Sequence, residues 1–294
     1  MAIPVAASTT TVRIRRATPE DVALCGRICY DAFAAINRQH GFPPDMPSPE
    51  VAIGLLGTLF SHPGFYCIVA ELEGRVVGSN CLDERGSIAG LGPITVDTTV
   101  QNGTIGRRLM LAMLERARER HLAGVRLVQS AFHSRSLSLY AKLGFDAREP
   151  LSVMQGPAIG RTVEGWSVRP ALEADIAAAG AICERVHGHN RLGELRDGIQ
   201  QGTAVVVERR GRITGYTSAL GFFGHAVAET NLDLQALIAA ADTFSGPGIL
   251  VPTRNADLFR WCLDNGLRVV QPLTLMTTGL YNEPQGAYLP SILC

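Results

Sequence analysis

Residues 94–145 read ITVDTTVQNGTIGRRLMLAMLERARERHLAGVRLVQSAFHSRSLSLYAKLGF, and this stretch decides the fold of the chain. The β-like run ITV leads through the turn QNGTIG into a segment with apolar residues at helical spacing, namely Leu109, Met110, Met113, Leu114 and Ala117. A second β-like run, VRLVQSA, and a short helical segment ending in GF follow. The order of strand, turn, helix, strand and helix predicts a mixed α/β fold.

The turn before the long helix is a candidate phosphate site. The backbone N–H groups from Asn102 to Gly106 lie at the start of a helix, where unpaired donors and the helix dipole favour an anion. Arg107 and Arg108 follow, and each is either a phosphate contact or part of a solvated helix face. Many α/β folds contain such a turn without binding anything, so the turn alone is a weak signal.

The turn is followed, one helix and one strand later, by Tyr140-x-Lys142-x-Gly144-Phe145. This order of motifs resembles the acyl-CoA-binding half of the GNAT family of N-acetyltransferases. The resemblance implies a mixed, mostly antiparallel sheet flanked by helices, and acetyl-CoA as co-substrate without a metal. It implies cofactor contacts from Ile94, Val96, Gln101, Asn102, Gly103, Thr104, Ile105, Gly106, Arg107, Arg108, His133 and Tyr140. Thr104 departs from the family pattern, which has glycine there, and its Cβ disfavours positive φ.

Tyr140 lies where the family often has its proton donor to the departing thiolate. A phenol can act there as an acid or as a hydrogen-bond donor, whereas a core aromatic residue would have the same sequence signature. His133 lies where many relatives have an asparagine that contacts pantetheine, although Ser134 or Ser136 could simply cap the helix.

The predicted strand 88–96 contains Gly92-Pro93, and proline cannot donate to a central ladder. We therefore expect the strand to be bulged or splayed at that point, which is where the family places the thioester. An edge strand with a kink is the alternative.

No general base is evident from the sequence. The acids nearest the central strands are Asp83, Glu84 and Asp97, and solvated turn charges account for each of them equally well. Asp83, at the end of the strand that neighbours the splay, is the preferred candidate for the catalytic base.

The chain contains the same plan twice. VRIRRATPEDVALCGRIC matches WSVRPALEADIAAAGAIC, VAELEGRVVGS matches VVERRGRITGY, and GFDAREPLSVM matches GLRVVQPLTLM. Three blocks in one order predict two tandem GNAT-like domains, at 1–157 and 166–294. The second copy is shorter, lacks a glycine-bearing turn and has Cys262 in place of Tyr140. These losses predict a degenerate, non-catalytic copy.

The segment YDAFAAINRQHGFPPDMPSPE has no full counterpart in the second copy and resembles a substrate lid of the family. Its polar residues are Asp31, Asn37, His40 and Asp45, and the first three are the candidate substrate contacts. An ordinary connector is the alternative.

Composition limits the class of partner. The chain has 294 residues with 27 basic and 27 acidic side chains, so no net field favours nucleic acid or an anionic membrane. The N-terminus lacks a signal-peptide pattern and no apolar run could span a bilayer, which predicts a cytoplasmic protein.

His187 and His189 are interpreted as surface or loop histidines, and the cysteines as buried. The apolar tail EPQGAYLPSILC is expected to dock on a partner domain or subunit, and a homodimer is possible.

The expected function is N-acyl transfer, with acetyl moving from acetyl-CoA to a primary amine of a small molecule by direct attack in a ternary complex. No cysteine is placed for an acyl-enzyme, and Cys81 is the one to check. Two alternatives stay open: a non-catalytic acyl-CoA-binding sensor or scaffold, and an acyltransferase that uses a longer acyl-CoA.

Overall fold

The computed structural model describes residues 12–101 and 104–293, which form two sheets flanked by helices. The first half contains β1 (Val12–Arg16), α1 (Val22–Gln39), α2 (Pro49–Ser61), β2 (Phe65–Leu72), β3 (Arg75–Asp83), β4 (Ile88–Leu91), β5 (Thr95–Val96), α3 (Ile105–Glu119), β6 (Gly124–Ser130), α4 (Ser134–Lys142) and β7 (Asp146–Gln155).

The second half contains β8 (Trp166–Pro170), α5 (Ile176–His187), α6 (Leu192–Gln200), β9 (Val205–Arg209), β10 (Arg212–Thr217), β11 (Ala226–Ala228), α7 (Asn231–Ala239), β12 (Ile249–Pro252), α8 (Ala256–Asp264), β13 (Arg268–Gly279) and β14 (Ala287–Leu289). The predicted mixed, mostly antiparallel fold with two tandem halves is confirmed.

The internal repeat is visible in matching ion pairs. Arg15 donates to both oxygens of Asp21 at 2.7 and 2.8 Å, and its Nε donates to Glu71 at 2.7 Å. In the second half Arg169 donates to Asp175 at 2.7 and 2.9 Å and to Glu208 at 2.6 Å. In each half this arginine joins the first strand to the start of the first helix and to the next strand.

The last strands of the two halves are exchanged. In the larger sheet, β13 lies between β6 and β7, and β12 pairs with the other side of β7. In the larger sheet β13 therefore continues the strands of the first half, β7 lies between two strands of the second half, and a shared apolar cluster includes Leu151 and Leu273. The linker near 156–165 separates the halves along the chain, whereas the hydrogen bonds of β13 and β7 join them in space.

The C-terminal tail docks on its own chain. β14 pairs with β11 of the second half, and the residues after it run towards the first half. The amide of Ile292 donates to the carbonyl of Phe222 at 2.8 Å, and the carbonyl of Leu293 lies against Gly90, where a Cβ atom would meet it at 1.9 Å.

No helix in residues 12–101 or 104–293 has the combined length and apolar character that crossing a bilayer requires.

Gly26 lets α1 and α2 approach closely. A Cβ atom there would lie 2.6 Å from the Cα atom of Ile53 and 2.8 Å from its backbone nitrogen. We expect Gly26→Ala to lower the free energy of unfolding by about 2 kcal/mol, because the backbone of α2 cannot move aside without repacking. In a urea titration Gly54→Ala is the matched control, since nothing lies within 4 Å of its added methyl group. The control should be neutral or stabilising by up to about 1 kcal/mol, and equal effects would contradict the close-packing account.

Candidate active site

The predicted splay is confirmed. The segment expected to form one strand forms β4 and β5, separated by Gly92, Pro93 and Ile94. β4 pairs with both β3 and β6, but β5 pairs with β3 alone among the described residues. The edge of β5 that faces β6 is therefore open, and this opening forms part of a cavity.

The cavity has a volume of about 550 Å³. Its first-half lining includes α1, the splay, the start of α3, the end of β6 and α4. The predicted cofactor contacts that line it are Ile94, Val96, Gln101, Ile105, Gly106, Arg107, His133 and Tyr140.

Thr104 ends the turn and opens α3 in an allowed conformation. Its φ is −91°, so the helix begins without the positive φ that would make threonine costly, and its carbonyl accepts from the amide of Arg108 at 2.9 Å. Asn102 and Gly103 lie outside the described residues. The N-terminus of α3 still presents the helix dipole to the mouth of the cavity.

Gln101 fixes the turn to its neighbours. Its Nε2 donates to the carbonyl of Val96 at 3.0 Å, while its Oε1 accepts from Arg135 at 2.6 Å. Arg107 and Arg108 are both exposed, and only Arg107 lines the cavity. The predicted contact from Arg108 therefore has no support from its placement.

Tyr140 lies on α4 with 7% of its surface exposed, and it packs edge-on against Phe145. Burial raises the pKa of the phenol well above its usual range, so it remains protonated at neutral pH. A phenol in this state is suited to donate a hydrogen bond to a thiolate.

His133 occupies the N-cap position of α4 without a capping hydrogen bond from its side chain, and its Nδ1 lies 2.8 Å from the Ser136 hydroxyl. Burial, together with the charge of Arg135 and the nearby His40, lowers the pKa of the imidazole. His133 is therefore a neutral ring on the cavity wall, which suits contact with an amide.

Asp83 is not brought to the cavity. Its carboxylate accepts from Arg85 Nε at 2.9 Å and Nη2 at 2.5 Å, and Arg85 also bonds Asp197 of the second half at 2.5 Å. Both oxygens of Asp83 thus accept hydrogen bonds from an arginine that also contacts the second half. These bonds compensate for burial of the carboxylate, which is 7% exposed. Asp83, the candidate general base, instead forms an ion pair with Arg85 where the two halves meet.

The lid region differs from its prediction in extent. α1 continues to Gln39, so Asp31 and Asn37 are helical residues; Asp31 is exposed, and Asn37 is buried and donates to the carbonyl of Pro43 at 3.0 Å. His40 is exposed and packs against Phe132. None of these three lines the cavity, whereas Asp45 does.

Residues 30–145 match the model of the acetyltransferase (GNAT) family. This part of the chain is therefore similar to the GNAT family. An IAA acetyltransferase from Azospirillum brasilense is 31% identical over 92 residues, which are 31% of this chain and 60% of that relative. The match thus covers less than two thirds of the relative.

The fold of the whole chain is also found in solved structures. A protein from Pyrococcus horikoshii assigned as an acetyltransferase superposes with a TM-score of 0.74 at 20% identity, over 98% of this chain and 97% of that one. A tandem GNAT protein from the clavulanic acid biosynthesis pathway superposes with a TM-score of 0.56 at 14% identity, over 92% and 98%. These similarities show that the GNAT fold occurs twice in the chain.

Sequence reasoning missed the contribution of the second GNAT-like half to the cavity. Its apolar lining residues are Phe222, Phe223, Leu273, Ile292 and Leu293. The apolar tail was the one signal for this contact, and it did not indicate which surface the tail would cover.

The second copy has a much shorter turn between the strand and the helix that correspond to β5 and α3. β11 ends at Ala228 and α7 begins at Asn231, whereas in the first copy residues 97–104 separate the strand from the helix. At the start of α7 the buried carboxylate of Asp233 accepts from Thr230 and Thr214 and from Trp166 Nε1 at 2.7 Å. The side chain of Asp233 thus occupies the first turn of α7, the helix that corresponds to α3.

Two further features fill the part of the second copy that corresponds to the opening beside β5. β14 lies beside β11 and also contacts β12, so it fills the opening that β5 leaves in the first copy. Glu149 of β7 is buried there and accepts from Arg254 at 2.7 Å. Cys262 occupies the position of Tyr140, as predicted. The amide of Phe145 donates to the carbonyl of Tyr140, and the amide of Leu267 donates in the same way to the carbonyl of Cys262.

His187 and His189 were interpreted as surface or loop histidines; both are buried, although His189 does lie in the bend that follows α5. His187 is 3% exposed, and its Nε2 lies 3.3 Å from Nε2 of His225, which is also 3% exposed. Ligand atoms of Cys183, His187 and His225 all lie within 4.8 Å of one another. Cys183 and His187 are one helical turn apart on α5, and the chain folds His225 against them from the strand side.

The buried histidines predict acid sensitivity. Burial, followed by neighbouring positive charges, holds the pKa of His187 and His225 well below 6.5, whereas in the unfolded chain each titrates near 6.5. Stability is therefore full above about pH 7 and falls as the pH drops below 6.5, by up to about 1.4 kcal/mol per histidine per pH unit, because only the unfolded chain takes up the proton.

Thermal unfolding between about pH 7.5 and 5.5 measures this effect. The melting temperature of His225→Gln should fall less over that interval than that of the parent. His121→Asn, at an exposed histidine, should retain the parental slope. If both variants follow the parent, His225 does not carry the acid sensitivity.

Proposed function

We propose that the chain is an N-acetyltransferase that moves acetyl from acetyl-CoA to a primary amine of a small molecule. The observation that carries this proposal is the continuity of the cavity, which runs past the start of α3, the open edge of β5 and Tyr140. A GNAT-family match to residues 30–145 supports the same reaction class. The second half supplies part of the cavity wall.

The phosphates of CoA are assigned to the N-terminus of α3, with Arg107 beside them. Gly106 leaves room at this point, since a Cβ atom would meet only Leu139 at 3.7 Å and Val96 at 3.9 Å. Asn102, Gly103, Thr104 and Ile105 are assigned the backbone contacts of the turn. Gln101 holds the turn against β5.

The acyl and pantetheine groups are assigned to the open edge of β5. The backbone N–H groups of Ile94 and Val96, which no neighbouring strand occupies, are suited to the pantetheine amides and to the thioester carbonyl. His133 lines the same cavity as a neutral ring. The donor is thereby fixed on one wall while the amine approaches from the side of α1.

Tyr140 is assigned to the departing thiolate. A phenol already has a higher pKa than a thiol, and burial raises the pKa of Tyr140 further, so full proton transfer to the sulfur is unfavourable and donation of a hydrogen bond is the better-supported role. The charge that develops on sulfur as the C–S bond breaks is stabilised by this bond.

Direct attack by the amine is supported by the state of the cysteines. Cys29 lines the cavity, but burial raises its pKa to about 12, so its thiol is protonated at neutral pH. Cys81 is fully buried, its pKa is also raised by burial, and it does not line the cavity. Neither thiol is suited to form an acyl-enzyme.

Calorimetric titration with acetyl-CoA tests the site count. We expect one site per chain, lost in Gly106→Trp because the indole would fill the space between Leu139 and Val96. Gly106→Ala is the matched control, since its methyl group makes only ordinary contacts, and it should retain binding within about threefold. Two sites, or unchanged binding in Gly106→Trp, would contradict the assignment of the turn.

Tyr140→Phe separates the enzyme from a sensor. We expect turnover to fall by about 100-fold while the Kd for acetyl-CoA stays within about twofold, because only the charged leaving group needs the hydroxyl. A coupled thiol-release assay over a panel of amines and with acetyl- and butyryl-CoA measures turnover. A parent protein that binds acetyl-CoA without turning over any pair would be the sensor, and a preference for butyryl-CoA would indicate the longer acyl donor.

A further inference from the structure

Asp45 is the one carboxylate among the described residues that line the cavity, and it lies where the two halves meet. It belongs to the connector after α1. Gln271, on β13 of the second half, donates from Nε2 to Asp45 Oδ1 at 2.6 Å. The second half therefore fixes the orientation of a carboxylate that the first half supplies.

Asp45 makes no ion pair within residues 12–101 and 104–293. Other carboxylates described above are neutralised by arginine: Asp21 by Arg15, Asp83 by Arg85, Asp175 by Arg169, and Glu149 by Arg254. Burial raises the pKa of Asp45, and polar contacts with Gln271 and Asn37 offset part of that rise. A carboxylate in these surroundings is stabilised by a cation that arrives with a ligand.

An apolar wall lies next to Gln271. Leu273 is two residues along β13, and therefore on the same face of the strand. It belongs to a cluster with Phe222, against which Phe223 and Ile292 also pack. All four side chains line the cavity, and the two phenyl rings meet edge-on with centroids 5.5 Å apart. A ligand that reaches Asp45 is thus offered an aromatic and aliphatic surface.

We infer that Asp45 receives the ammonium group of the acceptor and removes its proton, and that the acceptor is a primary amine on an apolar, aromatic or branched aliphatic body. Gln271 is the positioning residue for this carboxylate. The inference rests on the proposed function, since it concerns the amine side of the same cavity.

The step balances without any further reactant. One proton passes from the ammonium to the Asp45 carboxylate, and the free amine attacks the thioester carbon. The C–N bond forms, the C–S bond breaks, and the sulfur leaves with the electron pair. The second amine proton goes to the sulfur, so the products are the amide and the thiol of CoA, and Asp45 returns its proton to solvent. Burial brings the carboxyl closer in basicity to the amine, which favours the first transfer.

Paired acceptors test the role of Asp45. With acetyl-CoA at about pH 7.5, phenethylamine is protonated and aniline is neutral, although both carry a phenyl ring. Asp45→Asn should lower kcat/KM for phenethylamine by about 100-fold and for aniline by less than about fivefold, because only the first acceptor requires a carboxylate. The KM for acetyl-CoA should not change. Asp45→Glu should restore part of the loss, and Asp242→Asn, at an exposed aspartate of the second half, is the control.

Gln271→Met provides a second variant that leaves Asp45 in place. It removes the donor at similar volume, and we expect it to lower kcat/KM for phenethylamine by about tenfold without affecting the Kd for acetyl-CoA. Equal losses with both acceptors, or unchanged kinetics in Asp45→Asn, would overturn the inference.

The apolar wall has its own test. Phe223→Ala should raise the KM for phenethylamine by about tenfold and leave the KM for methylamine unchanged, because only the larger amine reaches the ring. A parent protein that acetylates hydrophilic amines but not phenethylamine would overturn the inference while the proposed function stands. A parent protein that binds no acetyl-CoA in calorimetry would overturn both.

Discussion

The antiparallel pairing of β13 between β6 and β7 is the constraint on which the rest of the structure depends. It brings Leu273 of the second half to the cavity of the first, and it brings Gln271 against Asp45, which lines that cavity. It also places β7 beside β12, so that a strand of the first half pairs with a strand of the second half. Separating the halves would expose strand edges in both, and their shared apolar cluster would open to water.

Much of the architecture follows from local sequence. The matched Arg15 and Arg169 make the same ion pairs, and Gly92-Pro93 splits one predicted strand into two, because both features depend on residues close together in the chain or on a rule of the backbone. The strand exchange could not be predicted in this way. β7 and β13 have equivalent apolar patterns, so the sequence does not distinguish pairing within a half from pairing between halves.

The site was less predictable than the fold for a related reason. The turn and Tyr140 lie in one continuous segment, whereas the contact between Asp45 and Gln271 joins residues 226 positions apart. Asp83 was misjudged because its partner Arg85 is itself held by Asp197 of the other half. His187 was misjudged because His225 reaches it only in the folded chain. Contacts of this kind have no local signature.

Because the two copies are joined in one chain, equivalent positions can carry different residues, which two identical subunits of a dimer cannot do. Gln271 and Glu149 occupy equivalent positions, one residue before the matched prolines of β13 and β7. In two identical subunits with exchanged strands, each substitution on the last strand would enter both sites at once. Here the same position carries an amide that orients Asp45 in one half and a carboxylate sealed by Arg254 in the other. Joining the copies in one chain therefore allows the two equivalent positions to carry different side chains with different contacts.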